Sequence, residues 1–262
     1  MAPLTICLLG TTGAGKSCTA NTVLGCRSND LFVVGNGSAS VTQNTSSVTG
    51  CWCGKGGEVR VVDTPGFLDS GGKDDEHIRN MAQLLMTEVQ RVNLFLVVLN
   101  GQEPRLNSAV VLALEHLRSL FGHAFLQNVM VCFTRWGYDR VSRLHRKKAN
   151  DKKAEDVIRG EKAAELNSTL RVALGHEFDF PCVFLDNAVN MSDEDELEIL
   201  FGDDAGDALK ELVEQLQRVW DYMVAAPVFD CQVVQVLRAE REQDVRKLLR
   251  HYLSLASEED GL

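Results

Sequence analysis

Positive charge is in short supply in this chain. Its 262 residues carry 27 Lys and Arg against 37 Asp and Glu, a formal net charge of −10. A field of that sign repels phosphates, so nucleic-acid or anionic-membrane binding over the whole surface is excluded and any phosphate site must be local. Apolar runs of membrane-spanning length are lacking too. No basic-plus-apolar leader precedes the first motif, and Glu258–Leu262 holds no cysteine for lipidation. These absences lead us to expect a soluble, cytoplasmic protein. The eight cysteines are scattered, mostly inside apolar runs such as Ile6–Leu8 and Val131–Phe133, and Cys51 with Cys53 has no second pair to complete a zinc site. Buried, reduced thiols are expected. There is no internal repeat.

What is present begins at Gly10. The stretch GTTGAGKS, Gly10–Ser17, fits G-x-x-x-x-G-K-[ST], with an apolar run before it and helix-compatible residues from Ser17 to Leu24 after it. A glycine-rich turn between strand and helix lets backbone N–H groups approach an anion at the helix N-terminus. Gly10, Thr11, Thr12, Gly13, Ala14 and Gly15 form this cradle, with Cys18 in the first helical turn. Lys16 supplies charge to the outer phosphates, and the Ser17 hydroxyl can ligate magnesium.

Strand-length apolar runs recur at Thr5–Leu9, Ser46–Cys53, Val59–Asp63, Leu94–Leu99, Asn128–Phe133 and Cys182–Leu185. Helix-period segments fall between most of them, near Asp74–Val92, Leu106–Phe121 and Ala154–Leu174. That alternation predicts an α/β phosphate-loop fold: a mainly parallel sheet with helices on both faces. Only Gly54–Gly57 joins the second and third runs, too short for a crossover, which predicts one antiparallel edge strand. We expect a nucleotide-binding domain over residues 1–190. Residues 191–262 are expected to form an acidic loop and C-terminal helices, Asp204–Met223 and Cys231–Ala256, separated at Pro227 and packed on that domain or extending from it. The apolar stripe of the last helix suits its own core, or else a protein or membrane-surface partner.

Further along the chain, Asp63-Thr-Pro-Gly66 follows the third run. A strand-end aspartate there can hold magnesium, and the Gly66 amide can sense the γ-phosphate. Between the two motifs lies the polar segment Asn36–Thr45, placed to cover the phosphates, with Thr42 as candidate metal ligand and Thr45 as the alternative. The one basic island, Arg140 to Lys153, lacks interleaved aromatics after Tyr138, so nucleic acid is not an expected partner.

Leu9–Leu24, Ser40–Thr42, Val62–Phe67, Leu120–Gly122 and Phe133–Arg135 together resemble the immunity-associated nucleotide-binding (GIMAP) GTPases, with chloroplast import GTPases and septins as more distant kin. The resemblance runs from about Leu4 to Asn187. It implies a switch that binds GTP and GDP with Mg²⁺ and forms a homodimer across its nucleotide face in the GTP state. It also implies base-side contacts from Thr134, Arg135, Asp139 and Asn187. The chain departs from the family where a Thr-Arg-Lys-Asp aspartate is expected: Gly137 stands there. Asp139 takes that role if the loop bulges, or Trp136 stacks on the base. Phe67 replaces the glutamine that orients water in Ras-like enzymes, so turnover is expected on the order of 10⁻⁴ s⁻¹ or below, the rate of unassisted Ras. Lys16 and Thr42 would act in catalysis, with Arg105 as a finger delivered in trans. The alternatives are a nucleotide-bound scaffold without turnover and a phosphate-loop ATPase or kinase.

Overall fold

Six apolar segments pair into one sheet in the computed structural model, which describes residues 2–26, 31–34, 46–54, 56–66, 85–103, 108–189, 191 and 193–232. In chain order the elements are β1 (Leu4–Leu9), α1 (Lys16–Val23), β2 (Ser46–Cys51), β3 (Glu58–Asp63), β4 (Arg91–Val92), β5 (Leu94–Asn100), α2 (Ser108–Phe121), β6 (Val129–Thr134), α3 (Arg140–Ala149), α4 (Glu155–Leu174), β7 (Cys182–Phe184), α5 (Glu194–Phe201), α6 (Ala205–Ala225) and β8 (Phe229–Asp230). The sheet order is β2-β3-β1-β5-β6-β7. Every pair is parallel except β2 with β3, whose antiparallel register sets Ser46 opposite Asp63. β2 is thus the antiparallel edge expected from the short Gly54–Gly57 link.

Continuous burial explains the parallel core. β6 is buried at every residue and β5 at all but its last, because helices cover the central sheet, whereas edge strand β2 has no fully buried position. At the other edge, β7 is sealed by a side chain: Gln215 of α6 accepts the Phe184 N–H at 3.0 Å. Ala208, Leu212, Leu216, Val219 and Met223 place α6 in the same apolar cluster as the sheet, and its Trp220 meets Trp52 with ring centroids 5.3 Å apart.

The structure corrects several boundaries. The helix expected to run to Val92 ends earlier. A short π-helical turn closes at Val89, and Arg91–Val92 pair with Phe229–Asp230 as a two-stranded ribbon. Cys231 and Gln232 form a turn after that ribbon instead of opening a helix, and the rest of the expected last helix lies outside the described residues. The second apolar run leaves the strand at Trp52, where a 3₁₀ turn with Cys53 at φ 50° begins the hairpin. The basic island forms a helix of its own, α3, separate from α4. The eight cysteines form no disulfide; Cys7, Cys132, Cys182 and Cys231 are buried as expected, with burial pushing the thiols of Cys182 and Cys231 up to about 12, whereas Cys18, Cys26 and Cys53 are half-buried and Cys51 is exposed.

His176 is a pH-sensitive point in this core. It packs against Phe178 and Phe180 at 4.6 and 4.5 Å between centroids, with neither ring nitrogen hydrogen-bonded among the described residues. Burial holds its pKa below the ordinary 6.5. The folded state resists a proton that the unfolded chain accepts, so this residue's contribution is full above that ordinary value and falls as pH drops through it. Replacing His176 with Phe is therefore expected to lessen the fall in Tm between about pH 7.5 and about pH 5.5. Equal falls in both proteins would refute it.

Candidate functional site

β1 and β3 lie side by side and end at the same edge of the sheet, with Leu8 opposite Asp63. That register brings two motifs, far apart in sequence, to one place. The turn after β1 is forced by Gly10: at φ +151° its backbone passes so close to β5 that a Cβ there would sit 2.3 Å from the Val98 carbonyl oxygen. Gly15 is the N-cap of α1 and offers no side chain to close the helix end, so the first turn faces the hollow of the loop. Lys16 is only 6% exposed and folds back over the loop, donating from Nζ to the Gly10 carbonyl at 3.1 Å and the Thr11 carbonyl at 3.0 Å.

One residue on, the Ser17 hydroxyl donates to Asp63 Oδ2 at 2.6 Å. Asp63 is 1% exposed, and its Oδ1 has no hydrogen-bond partner among the described residues. Burial pushes its carboxyl above the usual range, against the opposing pull of the Ser17 hydrogen bond and the Lys16 charge. A hydroxyl and a buried carboxylate with an orphaned oxygen, close to a lysine, form an oxygen donor set suited to a hard divalent cation. Gly66 closes this wall: a Cβ there would lie 2.1 Å from Thr12 Oγ1 and 2.5 Å from the Thr12 nitrogen, so only glycine lets the chain after β3 touch the loop.

The other wall follows β6 and β7. Thr134 is buried, with its hydroxyl 2.6 Å from the Ala14 carbonyl oxygen, tying β6 to the phosphate loop. Arg135 is exposed, adopts φ 55°, and reaches the Gly13 carbonyl with its guanidinium at 3.1 Å. Asn187 joins this wall to α1, donating to Thr19 Oγ1 at 3.0 Å and accepting from Thr22 Oγ1 at 3.1 Å. Asp139 is the N-cap of α3 and accepts the Ser142 N–H at 2.8 Å. Partial burial raises its carboxyl, but hydrogen bonds from Ser142 and Val141 outweigh that and leave it below the usual range.

The expectation of Trp136 stacked on a base is corrected. Trp136 turns inward at 3% exposure, packs on Phe184 at 4.6 Å, lies under the Arg146 guanidinium, and donates from Nε1 to Glu155 at 2.7 Å. Thr42, Thr45, Phe67 and Arg105 lie outside the described residues.

Three site-building residues have weak sequence signals. Thr64 is completely buried and donates to the Leu8 carbonyl at 2.6 Å, locking the two strand ends together. Asn21 pairs with both backbone groups of Phe32 at 2.9 and 3.0 Å and so anchors the chain beyond α1. Asp186 accepts from Tyr138 N at 2.9 Å and holds the base-side loop to β7. Asn21 and Asp186 have readable signals, the first in the stretch after the phosphate loop that carries the family resemblance and the second in its place beside Asn187.

The profile of the AIG1 family matches residues 4–138. Immune-associated nucleotide-binding protein 3 of Arabidopsis thaliana is 29% identical over 129 residues, 49% of this chain and 37% of that protein. GTP-binding protein A of Dictyostelium discoideum is 30% identical over 131 residues, 49% of this chain and 27% of that protein. The match thus spans about a third of the length of these relatives. Among solved structures, Toc33 from Arabidopsis thaliana in complex with Mg²⁺ and GMPPNP superposes with a TM-score of 0.62 at 18% identity, covering 88% of each chain. That likeness establishes a shared fold. Among the described residues, no helix is long and apolar enough to cross a membrane.

Proposed function

The chain belongs to the AIG1 family, and on that premise we propose that it is a guanine-nucleotide switch that binds GTP and GDP with magnesium and hydrolyses GTP slowly. The observation that carries this reading is the meeting of Lys16, Ser17 and Asp63 at the ends of β1 and β3. Backbone groups from Gly10 through Gly15 and the first turn of α1, up to Cys18, cradle the phosphates. Lys16 neutralises the outer phosphates once it exchanges its loop carbonyls for them. Ser17 and Asp63, joined by Thr42 from the covering segment, hold magnesium, which when bound offsets phosphate charge. Gly66 brings the chain after β3 against Thr12, where its amide can register a third phosphate. Thr134, Arg135 and Asn187 build the base side, with Asp139 fixing the start of α3 behind it. Residues 1–190 would form the nucleotide-binding unit. The acidic segment and helices of 191–262 would pack on it, with the last apolar stripe open to a partner. Eight cysteines without a disulfide suit a reducing compartment such as the cytoplasm.

Phe67, in place of a water-orienting glutamine, favours slow intrinsic turnover; a scaffold without turnover is the second reading it supports. Dimerisation is important for the GTPase activity of the chloroplast translocon components atToc33 and psToc159, which share this fold, and that gives a model for assistance by a second copy. By that model GTP favours a homodimer of this chain, and Arg105 approaches the neighbour's phosphates. The linkage is reciprocal, so dimerisation tightens GTP binding by the same factor that GTP tightens the dimer. Sedimentation is expected to give a monomer with GDP and a dimer with a non-hydrolysable GTP analogue, and turnover per molecule is expected to rise with protein concentration. One mass in both nucleotide states, with turnover independent of concentration, rejects the dimer. Absence of phosphate release at every concentration selects the scaffold.

A further inference from the structure

Guanine differs from hypoxanthine by its 2-amino group, and an acceptor is needed to read that group together with the N1–H. A carboxylate is the strongest acceptor a protein offers for two neighbouring donors. Among the described residues two carboxylates border the base side of this site; both oxygens of Asp186 and one of Asp139 accept from the backbone, and the other oxygen of Asp139 lies over Gly137, 2.9 Å from where a Cβ would stand. Asp139 Oδ1 caps α3 through Ser142 N at 2.8 Å. Asp186 is 7% exposed, with Oδ2 taken by Tyr138 N at 2.9 Å and Oδ1 by Ala188 N at 3.1 Å.

The loop between them cannot supply another. Gly137 has no side chain and no room for one, since a Cβ would stand 2.5 Å from Ser142 Oγ and 2.8 Å from Ser142 Cβ, in the first turn of α3. Tyr138 is fully buried and donates its hydroxyl to the Phe184 carbonyl at 2.5 Å, and Trp136 is enclosed between Arg146 and Phe184. The exposed side chain here is Arg135, held in a left-handed backbone conformation that a non-glycine residue adopts only under constraint from its surroundings. Its guanidinium spans from the base loop to Gly13 of the phosphate loop. A guanidinium donates and cannot accept, but its flat cationic face stacks well on an aromatic ring.

We propose that this site holds its nucleotide by the phosphates and by stacking of the purine on Arg135, with no carboxylate among the described residues set to read the 2-amino edge, so that inosine triphosphate binds as GTP does. The proposal rests on the nucleotide-binding reading above and narrows it: the ligand class is a purine nucleoside triphosphate whose 2-position is not inspected. A site built to pair with a polar group discriminates against a ligand lacking it by orders of magnitude, because its own group is left unpaired; a site without that partner does not.

Calorimetric titration of the full chain with GTP and with ITP, each with Mg²⁺, tests it. The expected Kd values agree within about threefold, and Arg135→Ala weakens both by about tenfold in parallel, as loss of one stacking contact implies. Asp139→Asn, in which asparagine caps a helix as well as aspartate does, is expected to leave the GTP-to-ITP ratio at one. Preference for GTP over ITP by tenfold or more overturns the proposal while leaving nucleotide binding intact. If Asp139→Asn abolishes such a preference, Asp139 is the reader. Binding of neither triphosphate overturns the nucleotide-binding reading itself, and this proposal with it.

Discussion

Replacing Lys16 with alanine is expected to weaken GTP and GDP binding by at least about 100-fold while the fold without nucleotide stays intact. Lys16 is 6% exposed as a residue, and its ammonium group is held over the loop by the Gly10 and Thr11 carbonyls. It is therefore already desolvated and positioned before an anion arrives. A charge-assisted contact in such a place contributes about 3 kcal/mol, which is about two decades in Kd. Alanine removes the cation and leaves the two carbonyls facing the site, where they repel phosphate oxygens. Thermal shift separates this from unfolding. Saturating GTP at about 100 times Kd stabilises a binding-competent protein by ~2.7 kcal/mol. The wild type is expected to gain several degrees in Tm on adding GTP and the variant at most about one, since a 100-fold weaker site is stabilised by only about 0.4 kcal/mol at that concentration, with matching circular dichroism in the absence of nucleotide. A variant that binds GTP as tightly as the wild type would remove Lys16 from the site.

Gly10→Ala is the second large effect, and it acts first on the fold. The new Cβ would be 2.3 Å from the Val98 carbonyl oxygen, on a backbone at φ +151° that L side chains rarely adopt. Neither neighbour yields readily, since Val98 sits in the middle of β5, paired with Cys132 of β6. Backbone strain of this kind and the clash together cost about 2–4 kcal/mol. For a chain of this size, that lowers Tm by roughly 5–15 °C. Because relief can come only by moving the loop off β5, the anion cradle shifts as well, and nucleotide affinity is expected to fall with stability. Gly10→Ala and Lys16→Ala thus differ in kind: the first lowers Tm without nucleotide, the second only removes the gain from nucleotide. A Gly10→Ala protein with wild-type Tm would show that β5 does not constrain the loop.

The sheet was legible in the sequence because each strand buries a short apolar run and each crossover carries its own helical period. Thr5–Leu9, Leu94–Leu99 and Asn128–Phe133 were placed within a residue of their observed ends for that reason. The antiparallel β2 was legible from loop length, since Gly54–Gly57 cannot span a crossover. The limits appeared where long-range pairing overrides local pattern. Arg91 and Val92 fit a helical period, yet they pair with Phe229–Asp230, more than a hundred residues away, and no local signal reports that partner. Trp136 looked available for a base because an aromatic in a loop reads as exposed. Its inward turn depends on Arg146, Glu155 and Phe184, which three other elements contribute.

The sequence by itself determined the phosphate loop, the strand-end aspartate and the chain order of the six strands that make the main sheet. Each is set by residue type and spacing within a short window, where local sterics and burial act. The tertiary structure alone decided that Ser17 meets Asp63 and that Asp63 keeps one buried oxygen unpaired. It also decided that Asp139 and Asp186 serve the backbone while Arg135 reaches the phosphate loop. Those outcomes depend on which carboxylate finds a backbone N–H within hydrogen-bond distance once β1, β3, β6 and β7 lie in one sheet. That is a competition between contacts distant in sequence, and it has no expression until the chain is folded.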